Sequence, residues 1–252
     1  MSGPDLFGAP ATAPDLAPHN QTRQDAQVIE FVSATRSTLE DFKSSTALGR
    51  SLPRLRYNPT IVSRVTTENT TGLPTLYNRA IDTDNEHDIL VFLHDDVFID
   101  DYFIGQRIVE GLKNFDVIGL AGTRRRLPGQ QIWASIDEDL QVFDMKYLSG
   151  MLAHLVQGDQ FVMSLYGSTP APCELLDGVF LAARKSKLRA AGVRFDERFK
   201  FHYYDLDFCR TARNAGLRLG TWPIAVTHES GGLFGSSSWK EAKAVYFDKW
   251  GD

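Results

Sequence analysis

The sequence has few cysteines and no long apolar run, and both absences exclude classes of protein. Two cysteines among 252 residues, Cys173 and Cys209, are too few for a disulfide framework and are not spaced like a metal-binding pair. We therefore expect a reducing compartment, with the cytoplasm as the default. No apolar run approaches the roughly 20 residues that span a bilayer. The N-terminus lacks a basic segment followed by an apolar one, which argues against a secretory signal.

The sequence also lacks an excess of positive charge. A net charge of −5 gives no global basic field of the kind that attracts nucleic acid, so we expect no nucleic-acid partner. The basic run at residues 124–126 is local and is typical of a solvated surface. There is no Walker-type loop and no G-x-G-x-x-G after the first strand, which argues against a P-loop enzyme and a dinucleotide-dependent dehydrogenase.

Proline-rich composition marks off the start of the chain. Residues 1–26 contain four prolines and show little apolar periodicity, which predicts a flexible tail. Order is expected to begin at the apolar run 27–35. No repeat and no clear linker follows, so residues 27–252 are predicted to form a single domain.

Apolar patterns in the first half alternate between strand and helix. They predict a strand at 27–35, a helix opened by a capping box at 37–40, a strand at 59–66, a helix beginning near Pro74, a strand at 89–94, a helix with one apolar stripe, and a strand at 116–121. This alternation favours a parallel sheet with right-handed crossovers.

The second half is richer in strands. It predicts strands at 139–144, 159–167 and 174–186, a short helix ending at Gly192, a helix at 205–215, a strand at 217–228 and a final helix near 239–250. The Gly- and Ser-rich segment 231–239 could be a lid over a bound donor or an ordinary linker.

One predicted strand ends on polar residues, in the stretch DILVFLHDDVFIDD. His94, Asp95 and Asp96 directly follow five apolar residues. Ligands bind beyond the carboxyl ends of strands in open parallel sheets. Adjacent carboxylates repel each other, and a divalent cation such as Mg²⁺ or Mn²⁺ would relieve the repulsion. A solvated turn or a helix N-cap is the alternative, and spacing alone leaves both interpretations open.

Two further polar clusters occur later in the chain. Asp205 and Asp207 open a predicted helix, where acidic residues complement the helix dipole. Tyr203 and Tyr204 precede them, and a partly enclosed carboxylate could instead act as a general base. His228 ends the strand in IAVTHESGG; a lone histidine is more often structural, but this is the third polar strand end in one predicted sheet.

The order of these pieces resembles that of nucleotide-sugar-dependent glycosyltransferases of GT-A fold and inverting family-two type. VFLHDDV followed by HYYDLDFCRTARNAG looks most like a bacterial branch of small glycosyltransferase-like proteins, and the resemblance covers about residues 27–250. It implies an α/β GT-A fold with a mixed central sheet. A Rossmann-like βαβ nucleotide-sugar-binding half, 27–123, would be fused to an acceptor-binding and catalytic half, 124–252.

The resemblance implies a divalent metal, Mn²⁺ or Mg²⁺. Asp96 matches the last aspartate of the family's Asp-x-Asp motif, and His94 departs from the family by taking the place of the first acid. His228 matches a histidine that completes the metal or diphosphate site in many relatives. Asp95 is a further candidate ligand.

The same resemblance assigns catalytic and substrate-binding residues. Asp205 falls at the catalytic base and Asp207 at its supporting acid, while Tyr204 replaces the family's Glu. The acceptor-binding candidates are Asp177 and Gly178, with Trp133 as a residue that could stack on a sugar or simply pack. The nucleotide-sugar-binding candidates are Ser33, Thr35, Arg36, Asn78, His94, Asp95 and Asp96.

Three functional hypotheses follow. The first is a metal-assisted inverting transferase that moves a sugar from a nucleotide donor, with UDP favoured by the resemblance, to a hydroxyl of a glycan or lipid-linked acceptor. The second is a non-catalytic nucleotide-sugar or glycan-binding protein, which the departures at His94 and Tyr204 keep open. The third is a nucleotidyltransferase. A lipid-linked acceptor would imply peripheral contact with the inner membrane face, and the oligomeric state is open.

Overall fold

The computed structural model describes residues 27–135, 144–156, 160–230 and 234–252. The predicted tail and most of the predicted strand at 139–144 lie outside these residues. The strands in the described part are β1 (Ile29–Ala34), β2 (Ile61–Thr66), β3 (Ile89–Leu93), β4 (Val97–Ile99), β5 (Val117–Gly119), β6 (Ala121–Thr123), β7 (Leu148–Val156), β8 (Gln160–Gly167), β9 (Ala171–Cys173), β10 (Leu175–Leu176), β11 (Phe180–Arg184), β12 (Leu219–Thr221) and β13 (Val226–His228).

Helices lie between many of these strands. They are α1 (Leu39–Ser45), α2 (Ala47–Ser51), α3 (Leu73–Asp82), α4 (Ile104–Asn114), α5 (Lys185–Ala190), α6 (Tyr204–Asn214) and α7 (Ser237–Trp250). Short 3₁₀ turns occur at Leu52–Leu55 and Met145–Tyr147. No helix in the described ranges is long and apolar enough to cross a bilayer.

The central sheet has seven strands in the order β2-β1-β3-β11-β5-β12-β9. β1 is parallel to both β2 and β3, as the alternation in the first half predicts. The fold is α/β with a mixed central sheet, as the GT-A resemblance implies. The parallel arrangement predicted for the first half is confirmed for β1, β2, β3 and β5, and the sheet is mixed because β11, from the second half, lies antiparallel between β3 and β5. An apolar strand that is buried on both faces can take a central position whether it runs parallel or antiparallel to its neighbours.

Two apolar layers cover the faces of this sheet, and β3 shows how. Leu90 and Phe92 belong to one buried cluster, which also includes residues of α3, α5, α6 and α7. Ile89, Val91 and Leu93 belong to the other, together with residues of α1, α2 and α4. Since successive side chains of a strand point to opposite faces, burial of both faces requires an uninterrupted apolar run.

A second sheet, in the order β10-β6-β7-β13-β4 with β8 beside β7, brings distant polar residues together. β13 pairs antiparallel with β4, in a register that places His228 opposite Val97. It pairs parallel with β7, which places His228 beside His154. The end of β13 therefore lies next to the corner between β3 and β4.

Several predicted elements are divided in the structure. The predicted strand 217–228 is two strands in different sheets, β12 and β13, and Pro223 lies in the break, where it removes a ladder donor. The predicted strand 116–121 is likewise divided into β5 and β6. Within 174–186, β10 and β11 are separate and α5 begins at Lys185. The predicted capping box is shifted by one residue, since Thr38 caps α1 and pairs with Asp41.

Helix α7 is fixed against α6 by a buried carboxylate. Asp207 on α6 has no exposed surface, and its Oδ1 lies 2.7 Å from Lys249 Nζ. Trp250 Nε1 donates to the same oxygen at 2.9 Å. Arg210, one turn further along α6, pairs with Asp252 at 2.7 Å. Charge pairing and apolar contact therefore hold α7 against α6.

Loss of the Lys249 ammonium should therefore destabilise the fold. Lys249→Met leaves the carboxylate of Asp207 buried without its cation, and breaking a buried pair in this way costs about 3 kcal/mol. For a chain of this size, the melting temperature should fall by about 6–12 °C. Lys240→Met, at an exposed position of the same helix, is the matched control and should change little. Equal melting temperatures for the two variants would contradict this account of α7.

Candidate active site

A cavity of about 340 Å³ opens at the carboxyl end of β3. It brings together many of the residues singled out from the sequence. Its polar lining includes His94, Asp96, His154, Asp177, His202, Asp205 and His228, and its aromatic lining includes Trp133, Tyr166, Phe201, Tyr203, Tyr204, Phe234 and Trp239.

Three residues of the cavity form a compact donor cluster. His94 and Asp96 lie in the corner between β3 and β4, and His228 ends β13. Asp96 Oδ1 lies 3.4 Å from His228 Nε2 and 3.9 Å from His94 Nδ1. One ligand atom from each residue lies within 4.8 Å of the other two. We refer to these three residues as the His-Asp-His cluster.

The environment keeps the carboxylate of the cluster ionised. Burial alone would raise the pKa of Asp96, but the polar contact and charge of His228, with the charge of His94, outweigh it and hold this pKa well below its usual range. Burial lowers the pKa of His94, against the opposing effect of Asp96. Burial also acts to lower the pKa of His228, but contact with Asp96 leaves this pKa raised.

This donor set fits a divalent cation. Asp96 Oδ1 is buried and has no hydrogen-bond partner among the described residues. An unsatisfied buried carboxylate oxygen is costly, and a cation would satisfy it. Two imidazoles and one carboxylate suit a first-row transition ion better than Mg²⁺, which prefers oxygen ligands. Asp95 is not part of the cluster. Its backbone oxygen accepts a hydrogen bond from the Leu48 amide at 3.0 Å.

On another wall of the cavity lies Asp205, at the first turn of α6. Its Oδ2 accepts a hydrogen bond from the Gly178 amide at 2.9 Å. The pKa of Asp205 is raised to about 7, chiefly by burial and secondly by the negative charge of Asp177. Hydrogen bonds from backbone amides oppose this rise. A carboxylate of this kind can accept a proton near neutral pH, which a solvated aspartate does poorly.

Glycine is required at position 178. A Cβ there would lie 2.5 Å from Tyr204 Oη and 2.8 Å from Asp205 Cβ, closer than van der Waals contact allows. The chain turns at Asp177, whose Oδ1 accepts a hydrogen bond from the Val179 amide at 3.0 Å. The predicted acceptor segment, Asp177 and Gly178, thus lies directly against the predicted base.

Aromatic side chains form much of the rest of the cavity wall. Trp133 meets Tyr166 edge to face at 4.9 Å, and Phe201 stacks on the His94 ring at 5.5 Å. Tyr203 has a left-handed backbone, φ 63°, directly before α6, which is strain of the kind that collects at functional sites. Tyr166 and Phe201 were not predicted, because a side chain inside an apolar pattern gives no sign that it faces a cavity rather than the core.

Two other histidines, His154 and His202, also line the cavity and were not predicted. Each interrupts an otherwise apolar or aromatic pattern, and that interruption was the available signal. Burial lowers the pKa of both side chains, which favours their neutral forms. Phe234 and Trp239 come from the predicted lid, of which residues 231–233 lie outside the described ranges.

Three nucleotide-site candidates lie at the end of β1 and not in the cavity lining. Ser33 is buried and its hydroxyl has no partner among the described residues, while Thr35 accepts a hydrogen bond from the Ser37 amide. Arg36 is exposed. Because β1 and β3 are parallel neighbours, these residues and His94 share one edge of the sheet. Their nucleoside role stays a prediction.

Two further candidates make contacts that suit a structural role. The Asn78 amide donates to the Phe195 carbonyl at 2.9 Å and accepts from the Phe195 amide at 2.9 Å. Asp207 faces Lys249 and Trp250 and is not part of the cavity lining. These contacts give no support to the predicted nucleotide-binding role of Asn78 or the supporting-acid role of Asp207, and both roles stay predictions.

The mixed sheet and the polar cavity at the carboxyl end of β3 describe an α/β protein with one candidate ligand site among the described residues. A family model described as "Glycosyltransferase like family" matches residues 60–248, which is most of the chain. The chain therefore belongs to this family, and it is a glycosyltransferase. The sequence matches none of the curated proteins compared with it.

Solved structures with a similar arrangement of elements share little sequence with this chain. TarS 1-349 of S. aureus is 12% identical, with a TM-score of 0.46, and the match covers 81% of this chain and 60% of that one. The catalytic domain of Drosophila beta1,4galactosyltransferase 7, in complex with xylobiose, is 9% identical, with a TM-score of 0.44 and coverage of 86% and 79%. A197 from STIV is 10% identical, with a TM-score of 0.43 and coverage of 82% and 96%. Identities this low carry no information on substrates.

The two neighbouring aspartates should differ in metal binding. Asp96→Asn is expected to weaken Mn²⁺ binding by at least about tenfold, because losing a ligand should cost no less than losing an outer-shell partner of one. Asp95→Asn is the matched control and should bind Mn²⁺ as the parent protein does. Isothermal titration calorimetry on metal-stripped protein measures both, and Mg²⁺ should bind more weakly than Mn²⁺. Equal Mn²⁺ affinity in the two variants would refute the His-Asp-His cluster as the ion site.

Proposed function

We propose that this glycosyltransferase is metal-assisted and inverting, and that it moves a sugar from a nucleoside diphosphate sugar to a hydroxyl of a glycan or lipid-linked acceptor. Asp205 is the general base. The carrying observation is that one cavity holds both the His-Asp-His cluster and a buried carboxylate whose pKa is raised to about 7. UDP as the carrier rests on the family resemblance alone.

The metal enters this proposal through the charge of the leaving group. Bound at His94, Asp96 and His228, a divalent ion would supply positive charge to a departing diphosphate. None of the described residues that line the cavity is Lys or Arg. The internal segments outside the description, 136–143, 157–159 and 231–233, contain no Lys or Arg either. The His-Asp-His cluster is therefore the place in the cavity where this charge can be balanced.

The role proposed for Asp205 is to take the acceptor proton. Its side chain lines the cavity, and a hydrogen bond of 2.9 Å from the Gly178 amide orients Oδ2. An acceptor hydroxyl must lose a proton as it attacks the anomeric carbon, whose transition state is oxocarbenium-like. A base on the side of the acceptor gives direct displacement with inversion. In this proposal Asp205 only accepts the proton and forms no bond to sugar.

The cavity wall also limits the acceptor. Asp177 and Asp205 place negative charge beside the acceptor segment, which disfavours an anionic group there. Trp133 and Tyr166 present aromatic surface that suits the C–H face of a sugar ring. Lys243, whose Nζ lies 3.3 Å from Gln131 Oε1 and over the ring of Trp239, is a nearby cation. An uncharged sugar fits the inner part of this cavity best.

Asp205→Asn should abolish most turnover and spare donor binding. The amide keeps the size of the side chain but cannot accept the proton, so we expect kcat to fall by about 10²–10⁴-fold. The affinity for UDP with Mn²⁺, measured by calorimetry, should stay within about twofold, because the His-Asp-His cluster is intact. Turnover is followed as release of nucleoside diphosphate from a panel of nucleotide sugars.

Asp207→Asn is the matched control for this experiment. It changes the same functional group on the same helix, but this group faces α7 and not the cavity. It should lower the melting temperature; a nearly unchanged kcat would leave Asp205 as the group that turnover needs, whereas a large loss of kcat would support the supporting-acid role of Asp207. Near-normal turnover in Asp205→Asn would exclude the base assignment, and binding without any turnover in the parent protein would favour a non-catalytic donor-binding protein.

The pH profile gives an independent test of the base. Because burial and Asp177 raise the pKa of Asp205 to about 7, kcat/KM should fall about tenfold per unit as pH drops below about 7. Asp177→Asn removes the like charge, so the midpoint of the profile should move to lower pH. Both profiles are recorded at saturating Mn²⁺. The prediction would be contradicted if the midpoint of the kcat/KM profile were the same in Asp177→Asn as in the parent, or if the profile were flat from pH 5 to 8.

A further inference from the structure

Two positions where this chain departs from the pattern of the family it resembles are in direct contact. His94 stands where the first acid of the Asp-x-Asp motif is expected, and Tyr204 stands where a Glu is expected. They are far apart in the sequence, yet His94 Nε2 lies 2.9 Å from Tyr204 Oη. The two departures therefore form one structural unit, and proton counting shows what this unit does.

Tyr204 has a single hydroxyl proton, and the distances to its neighbours indicate which atom receives it. Tyr204 Oη lies 2.7 Å from the Gly178 carbonyl oxygen, which can only accept. The tyrosine therefore donates there, and its oxygen must accept in the bond with His94. It follows that Nε2 of His94 carries a proton. In a neutral imidazole the lone pair is then on Nδ1, the atom that lies 3.9 Å from Asp96 Oδ1.

We propose that Tyr204 is a positioning residue that fixes His94 in its Nε2–H tautomer, so that Nδ1 faces Asp96 and His228 as the third ligand atom of the cation site. This inference rests on the metal site of the proposed function. It adds a role for a tyrosine that itself offers no ligand to the ion.

The surroundings of Tyr204 make it a rigid support. Its ring is buried and meets Tyr77 edge to face at 5.9 Å and Phe195 at 6.0 Å. The missing side chain at Gly178 leaves the space for the hydroxyl, since a Cβ there would lie 2.5 Å from Tyr204 Oη. The His94 ring is held on one face by Phe201, which stacks on it at 5.5 Å.

Hydrogen bonding to the second nitrogen of a metal-ligating histidine is a general device. It sets the tautomer and ring orientation, and its loss costs about 10–100-fold in metal affinity. An aspartate at position 94 would need no tautomer control, whereas a histidine does. The Tyr204 hydroxyl supplies this hydrogen-bond partner to His94.

The test is Tyr204→Phe in the full-length chain, with two measurements that do not depend on turnover. Calorimetric titration with Mn²⁺ alone should show about 10–100-fold weaker binding than in the parent protein. Nitrogen-15 NMR of the metal-free protein should show the Nε2–H tautomer of His94 in the parent and a mixture of tautomers in the variant. Retention of the circular dichroism spectrum and a cooperative melt excludes unfolding as the cause.

Tyr246→Phe is the matched control. It also removes a buried tyrosine hydroxyl, one that contacts Arg210 at 3.3 Å and is absent from the cavity lining. It should leave both Mn²⁺ affinity and the His94 tautomer unchanged.

The outcomes separate this inference from the proposed function. Parent-like Mn²⁺ affinity in Tyr204→Phe, or an Nδ1–H tautomer of His94 in the parent protein, would overturn the positioning role. Failure of the parent to bind Mn²⁺ would overturn the metal site and the metal part of this inference. The NMR comparison would still decide whether Tyr204 sets the tautomer. Loss of turnover in Asp205→Asn tests only the general-base role of Asp205.

Discussion

The approach of His228 to Asp96 is the contact on which the candidate site depends. The two side chains are far apart in the sequence and meet at 3.4 Å because β13 pairs with β4 in a fixed register. A one-residue slip would turn His228 to the other face of the sheet. The backbone bond from the Glu229 amide to the Asp96 carbonyl, at 2.9 Å, extends this pairing past the end of the strand. The donor cluster is thus a product of sheet register rather than of loop flexibility.

The central sheet holds the other half of the cavity in place. β11 lies beside β3, so the segment that precedes β11, Asp177 and Gly178, is fixed next to the end of β3. The His94 amide donates to the Val179 carbonyl at 3.3 Å across this junction. Because both strands are buried on both faces, their relative position is set by the two apolar layers. Packing therefore fixes Asp177 and Gly178 beside the donor cluster, and the Gly178 amide holds Asp205 there through a hydrogen bond at 2.9 Å.

Sequence patterns predicted what depends on local chemistry. The uninterrupted apolar run of β3 predicted a buried strand, and the polar residues after it predicted the corner that holds His94 and Asp96. Long-range pairing was beyond reach: nothing within residues 174–186 indicates that β11 enters the sheet antiparallel. Asp207 shows a different limit. Residues two apart on a helix point about 200° apart, so Asp205 lines the cavity whereas Asp207 faces Lys249, and the supporting-acid role of Asp207 stays a prediction.

The site also separates its carboxylates by environment. Asp96 lies between two imidazoles, which hold its pKa well below the usual range, so it stays ionised and can bind a cation. Asp205 is buried beside the like charge of Asp177, so its pKa rises to about 7 and it can exchange a proton at neutral pH. Two carboxylates whose environments push their pKa values apart take different roles. The two imidazoles beside Asp96 oppose a proton there, so Asp205 is the better suited of the two carboxylates to accept a proton near neutral pH.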